Sequence, residues 1–581
     1  MRDKRACTRR RLLIMGGFIA SNSPIMLEKA SQIFTEQDML STDVIVDENL
    51  VVRYFSKIGQ SKIVVTKIKN IYACVTGSFQ YNGLISQKAL DAIIQDYLSG
   101  TLDYANIRGS WNLILANSAN SAMVVSSPSG QYFSFYHESG KEYLISSSFL
   151  ACGVTLKSKI ELNPLQALDY ICNNATHSDD SFLKGISQLP AGCVCELSMS
   201  KMNISLYAKG QTELKSYSAY TNLLIENWSD AFKSMSENGG LKIDISGGLD
   251  SRLIAALVKN CGVPHSYNVN YSSNAASQDV VLAKFIAKKE DKELQIIEYP
   301  AIHNRIEWKD LKSSFVAYDG LRSVLGKANV AHHMFKQKAL NCEYLIGGHG
   351  GELLREYWYS MPIKPHLSNF LKRHYTIPGM SFLNKDLVQY HNRLASRILG
   401  GIQYLESADF ARLYYQSRMR FWAGARISVL NKYVSKFSPL NDFHQSEIAI
   451  AIDPKFKRYA MAEKQVIKSL SPTMFSYPSQ YGTLKLTPST GEKLARAKMV
   501  FTEAIKLHSD FVTKASIPLE DLYSLGPHDL DLRDATNEVI AQCQIINVIN
   551  TRQVASNIMS LALILTVLRD PGKYLFKTDI N

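Results

Sequence analysis

At 581 residues and 65.1 kDa the chain is longer than one hydrophobic core usually supports, and at roughly 100–200 residues per domain it should divide into two to four. A composition of 46% hydrophobic and 20% charged residues, with 32 Gly and 17 Pro, excludes a disordered, collagenous or fibrous protein. The net charge of +13 owes much to Arg2, Lys4, Arg5, Arg9, Arg10 and Arg11; the balance suits polyanionic ligands such as ATP or an acidic polymer but is mostly solvated surface, and with no basic stripe interleaved with aromatics nucleic acid is not expected.

The first residues, 1–14, read as a basic extension. Arg9–Ala20 fits either a secretion leader or a basic stretch running into a β-strand over Leu12–Ala20, with Met15 a second candidate start. From there to about 208, short β-branched and aromatic runs predict strands at Ser61–Ile68, Ile71–Phe79, Trp111–Asn117, Ala122–Ser126, Tyr132–Tyr136 and Tyr143–Ser147. Helices are expected at Ser86–Leu98 and Pro164–Asn173, giving an α+β domain built as an antiparallel sandwich. Lys209–Glu213 reads as a linker. From Ser216 helices alternate with short apolar strands at Leu241–Ile245, Ser266–Asn270, Leu294–Glu298 and Tyr344–Ile346, which predicts an α/β domain with a parallel sheet; Ala408–Val429 and Ala535–Arg569 read as helical. The longest apolar runs, Leu12–Ala20 and Ile558–Val567, fall short of the ~20 residues of a membrane span, and a soluble protein is expected. None of the nine cysteines has zinc spacing, so buried reduced thiols in a cytoplasmic protein are the expectation.

One stretch carries chemistry: Leu241-Lys-Ile-Asp-Ile-Ser-Gly-Gly-Leu-Asp-Ser-Arg252. A strand ends, Ser246-Gly247-Gly248 turns, and a helix opens through Leu249, Asp250 and Ser251. Glycines allow the sharp turn and bring N–H groups towards an anion, and the helix N-terminus adds partial positive charge. An acid beside that anion is repulsive unless a divalent cation bridges them, which marks Asp250 as a magnesium ligand. The spacing is not that of a GxxxxGK[ST] loop.

The string resembles the SGG-x-DS signature of the asparagine synthetase/β-lactam synthetase family of ATP pyrophosphatases. Ser266–Tyr271 resembles that family's second strand and Ser277-Gln-Asp279 its next helix start. Tyr318-Asp319-Gly320 resembles its acidic turn, Leu345-Ile-Gly-Gly-His-Gly-Gly-Glu352 its second phosphate loop and Ser438-Pro-Leu-Asn-Asp442 its P-F-L-D segment. Leu144-Ile-Ser-Ser-Ser148 and Ile186-Ser-Gln-Leu-Pro-Ala-Gly192 resemble pieces of a class II glutamine amidotransferase. The resemblance implies domains at 15–208 and 216–581, and adenylation of a carboxylate by MgATP followed by attack of an amine. It implies ATP contacts at Ser246, Gly247, Gly248, Leu249, Asp250, Ser251, Gly348 and Gly350, with magnesium held by Asp250 and Glu352. Catalytic roles would fall to Glu352, to His349, which stands where the family has glutamate, and to a late lysine. Lys485 is the first choice for that lysine, with Lys455 and Lys464 behind it. Use of ATP in turn favours the strand over the leader at Leu12–Ala20.

Glutamine users of this kind begin M-C-G-I. Here Met15-Gly-Gly-Phe-Ile19 puts Gly16 in the nucleophile's place, and glycine cannot form a thioester. Thr76-Gly-Ser-Phe79 likewise reads as a degenerate glutamine-binding turn. A ligase without glutaminase is therefore expected, acting on a small-molecule or peptide carboxylate, with an amine-donating or precursor-processing partner protein an option. Macrolactam formation, asparagine synthesis and amidation of a polysaccharide uronic acid stand as substrate readings. A non-catalytic nucleotide-binding relative is the alternative of another class.

Overall fold

A computed structural model describes residues 15–47, 50–58, 65–117, 121–156, 160–207, 216–238, 240–272, 278–299, 307–323, 325, 344–355, 364–498, 518–548 and 552–576. The basic extension, Leu12–Ile14 and the linker at 209–213 lie outside these residues.

The N-terminal part is a sandwich of two antiparallel sheets. Six strands pair in the order Ser187–Gln188, Phe135–Ser139, Glu142–Ser146, Gly17–Ser21, Val51–Phe55 and Ser41–Ile45. The second sheet runs Met202–Leu206, Cys193–Leu197, Ser121–Ser126, Arg108–Asn117, Ile71–Tyr81 and Thr66–Ile68. Gly17–Ser21 lies between two partners and is buried throughout, which is why its run of apolar and small residues shows no alternation. Phe18, Ala20, Val52, Tyr54 and Ile145 from one sheet meet Cys74, Ile114, Ala116 and Val124 from the other. Two sequence expectations shift here. The strand read at Tyr132–Tyr136 begins at Phe135, because Gln131 to Ser134 turn towards the second domain, where the Phe133 N–H donates to Ser428 Oγ (2.9 Å). The strand expected at Ile71–Phe79 forms as Ile71–Tyr81, so Thr76–Phe79, also read as a degenerate glutamine-binding turn, is strand interior paired with Arg108–Asn117.

The second part holds a five-stranded sheet: β1 (Leu241–Asp244), β2 (Ser266–Ser272), β3 (Leu294–Tyr299), β4 (Tyr344–Ile346) and β5 (Ser435–Phe437). All pairings are parallel and the order is β3-β2-β1-β4-β5. The order reverses at β1, so the loops leaving the carboxyl ends of β1 and β4 flank the crevice where open α/β sheets bind ligands.

The region expected to be helical at Ala535–Arg569 comprises Arg533–Gln542 and Arg552–Arg569. The latter returns to the first domain: Asn557 Nδ2 donates to the carbonyls of Tyr170 (3.1 Å) and Ile171 (2.9 Å), and Ile558–Val567 is core. Among the described residues no helix is long and apolar enough to cross a membrane. Asp319, in the acidic turn read at 318–320, serves the contact between the two parts. Buried at 2% exposure, its carboxylate accepts from Ser148 Oγ and from the N–H groups of Phe149 and Leu150, capping a helix of the first domain.

Candidate functional site

The loop after β1 is held in shape by its own serines. Ser251 Oγ accepts from the Ser246 N–H (3.1 Å) and lies 2.9 Å from Ser246 Oγ, which accepts from the Gly248 N–H (3.2 Å). Asp279, in the first turn of Gln278–Glu290, accepts from the Gly247 N–H at 2.8 Å, so the second-strand helix braces the loop. Gly248 is the N-cap of the helix Leu249–Asn260 and has no side chain to offer its first-turn N–H groups, which are left for an anion. Leu249 itself points into the core at 2% exposure and anchors the helix.

The loop after β4 lies directly against this one. A Cβ on Gly348 would sit 2.5 Å from the Asp250 carbonyl carbon, and one on Gly351 would sit 2.1 Å from Asp250 Oδ1. Gly350, with φ at +107°, would strike the Leu440 backbone at 2.5 Å. Glycine here is demanded by backbone-to-backbone approach. The two loops enclose a cleft of about 480 Å³ lined by Ser246, Gly248, Asp250, Ser251, Asp279, Gly347, Gly348, His349 and Glu352, together with Asp244, Asn268, Asn270, Arg426 and Lys436.

Acids collect at its floor. Arg355 Nη2 donates to Asp250 Oδ2 at 2.8 Å and Nη1 to Glu463 Oε2 at 3.3 Å. Glu352 Oε2 accepts from the Gly350 N–H (3.0 Å). Burial, then the charge of Asp250, pushes Glu352 above the usual carboxylate range, and the same two causes push Glu463 further. Burial opposes the charge on Arg355, but Glu463, Asp250 and Glu352 together hold its guanidinium above its ordinary value. Asp250 and Glu463 thus share one guanidinium with Glu352 close by, and Asp250 Oδ1 is buried with no partner. Such a set fits a divalent cation held by Asp250 and Glu352. Among the described residues no group of three or more His, Cys, Asp or Glu side chains makes a full metal cage. Magnesium bound by one or two carboxylates plus phosphate oxygens needs none.

The lysine at the cleft is Lys436, on β5. It is buried, ion-paired with Asp244 and packed against Gly347, where a Cβ would lie 2.3 Å from its Nζ. Lys485 is exposed and does not line the cleft, Lys455 pairs with Asp453, and Lys464 pairs with Glu492. Sequence reading missed Lys436 because its strand is three residues long and carries the lysine at its centre; the signal was its place two residues ahead of Ser438-Pro-Leu-Asn-Asp442.

Arg252 is fully buried and donates to the carbonyls of Tyr477 (2.6 Å), Met474 (3.3 Å) and Pro478. Burial lowers its pKa to about 10, so it stays cationic at neutral pH. The segment it holds closes on the glycine loop after β1, the Gln480 N–H donating to the Gly247 carbonyl (3.1 Å). Arg252→Leu should therefore cost about 3 kcal/mol through three unsatisfied carbonyls, read as an earlier urea transition, and should weaken nucleotide binding as well.

At Gly16 the first domain is closed. The Gly16 N–H donates to the Phe55 carbonyl (3.0 Å), its own carbonyl accepts from Tyr132 Oη (2.8 Å), and a Cβ would lie 2.5 Å from the Ser56 carbonyl oxygen. All described cysteines are free thiols. Burial pushes Cys74 and Cys152 well above the ordinary value and Cys193 to about 11, which is the opposite of an activated nucleophile.

No protein-family profile and no curated protein matches the chain. Solved structures do. Glutamine phosphoribosylpyrophosphate amidotransferase from B. subtilis, complexed with ADP and GMP, is 10% identical, with 48% of this chain and 65% of that one covered and a TM-score of 0.23. The allosteric regulatory enzyme of purine biosynthesis is 8% identical over 50% of this chain and 82% of that one, with a TM-score of 0.23. NMN synthetase from Francisella tularensis is 12% identical over 52% and 98%, with a TM-score of 0.15. The chain thus spans a little under two thirds of the first of these. Superpositions this loose carry neither fold nor activity across; both rest on the geometry above.

Proposed function

We propose that this protein is an ATP-dependent, AMP-forming carbon–nitrogen ligase that activates a carboxylate and joins it to an amine. The observation that supports this best is the approach of the two glycine loops, which sets Asp250 and Glu352 in one cleft with the open first turn of Leu249–Asn260. The N–H groups of that turn and the Ser246 and Ser251 hydroxyls would hold the β- and γ-phosphates. Magnesium, when bound by Asp250 and Glu352, neutralises the phosphate charge. Lys436 would stabilise negative charge at the α-phosphate, taking the part of the late lysine for which the resemblance made Lys485 the first choice.

A carboxylate oxygen attacks the α-phosphorus and pyrophosphate leaves; the amine then attacks the acyl carbon and AMP leaves. His349 is the group in the cleft that can take the amine's proton. Chemistry of this kind depends chiefly on positioning and charge neutralisation. The closed pocket at Gly16 favours a nitrogen source other than glutamine, and with it a substrate-borne amine, as in macrolactam formation.

ATP–pyrophosphate exchange with aspartate, uronic acids and carboxyl-bearing peptides tests the reading. Exchange with peptides alone supports the macrolactam, with aspartate an asparagine synthetase, with uronates a polysaccharide amidating enzyme. Nucleotide binding with no exchange and no AMP from any acid would leave a non-catalytic relative.

A further inference from the structure

Beside the cleft lies a group of arginines that the chemistry above does not use. From Tyr414 to Ala423 the chain is a π-helix, a rare form that gathers at functional sites, and it continues as the α-helix Gly424–Asn431. Arg418, Trp422 and Arg426 fall on successive turns of this run. The Arg418 guanidinium lies 5.0 Å from the centre of the Trp422 ring, and Arg322, from the turn after Trp308–Ala317, lies 4.8 Å from the same ring. Arg426 lines the cleft.

None of these three arginines has a carboxylate or hydrogen-bond partner among the described residues. The neighbouring cations in the same region do: Arg420 pairs with Asp179, Lys436 with Asp244 and Arg355 with Asp250. The indole gives the two stacked guanidinia cation–π contact and fixes their planes, but it neutralises nothing. Burial, and then the charges of Arg426 and Arg418, work against the charge on Arg322. Three like charges held together, half-buried and without a counter-ion, are costly unless something anionic seats on them. ATP has its own seat at the β1 loop.

We propose that the acid activated in this cleft carries at least one further anionic group, a second carboxylate or a phosphate, and that Arg322, Arg418 and Arg426, braced on Trp422, bind it. The substrate class is thus a polyanionic acid. Its assignment as the activated acid rests on the ligase reading; the anion site itself does not.

The full chain should be titrated calorimetrically with tricarballylate and, at equal ionic strength, with butyrate. A non-hydrolysable MgATP analogue should be present at saturation so that the phosphate loop is filled. Tricarballylate should bind at least about tenfold tighter than butyrate, and Arg418→Gln and Arg322→Gln should each erase about that factor, since charge-assisted contacts are the strong ones. Equal affinity of the two acids for the wild-type chain, or tricarballylate affinity unchanged in both variants, would overturn the proposal. The wild-type comparison stands even if a variant fails to fold. Selectivity for tricarballylate in a protein that neither binds nucleotide nor exchanges pyrophosphate would sink the ligase reading and keep the anion site; exchange without that selectivity would do the reverse.

Discussion

Asp250→Asn is expected to lower ATP–pyrophosphate exchange by about a thousandfold, on the scale of losing one preorganised charge contact in a shielded site. The unliganded fold should be unharmed. Asp250 shares a single guanidinium with Glu352 and Glu463, and both of those are held towards their neutral forms by burial and by the charge of Asp250. An amide at 250 keeps a partner for Arg355 Nη2 and removes the charge that burdens Glu352 and Glu463. A urea transition at or beyond the wild-type midpoint, together with lost exchange, separates a site built for a cation from an ordinary structural ion pair, whose removal would cost stability. Lost exchange with a large fall in midpoint would make Asp250 structural and withdraw it from the site.

The shape of the Ser246–Gly248 loop was legible because everything it needs is local: strand, Ser-Gly-Gly, helix start and acid follow one another within a dozen residues, and local hydrogen bonds give them their shape. The second loop was legible for the same reason, down to Glu352. What could not be read was set by distance along the chain. Lys436 reaches the cleft only because β5 adds to β4, and a three-residue strand with a charged centre has no hydrophobic period to reveal it. Arg252 sat beside the motif, yet its work lies with carbonyls more than 220 positions away. Asp319 was read only as part of an acidic turn, and nothing near it in sequence showed that its hydrogen bonds go to Ser148, Phe149 and Leu150 in the other domain. Thr76–Phe79 misled in the opposite way: Gly77, at φ +97°, reads as a turn residue, but a Cβ there would lie 2.2 Å from the Ser110 carbonyl oxygen, so the glycine serves close strand packing. The C-terminal helix was visible as an apolar run, and its partner in the first domain was not.

Gly16→Cys, which installs the nucleophile of class II glutamine amidotransferases, should not bring glutamine hydrolysis and should destabilise the protein by about 3 kcal/mol or more. The obstacle is backbone, not side chain. A Cβ at position 16 would lie 2.5 Å from the Ser56 oxygen and 2.9 Å from Lys57 Cα. Those atoms cannot retreat cheaply: the Ser56 N–H is bound to the Leu40 carbonyl at 2.8 Å, and the Ile58 N–H, two residues on, to the Lys432 carbonyl of the second domain at 2.9 Å. The space a substrate amide would need is further narrowed by Lys57, which is fully buried and donates to the Gly77 carbonyl at 3.4 Å. Glutaminase assays and urea denaturation of the variant read the two effects separately. Hydrolysis of glutamine by Gly16→Cys, in a chain as stable as wild type, would mean that the pocket opens after all. The amine would then have to be sought as ammonia passed from the first domain, because the case for a substrate-borne amine rests on that pocket being shut.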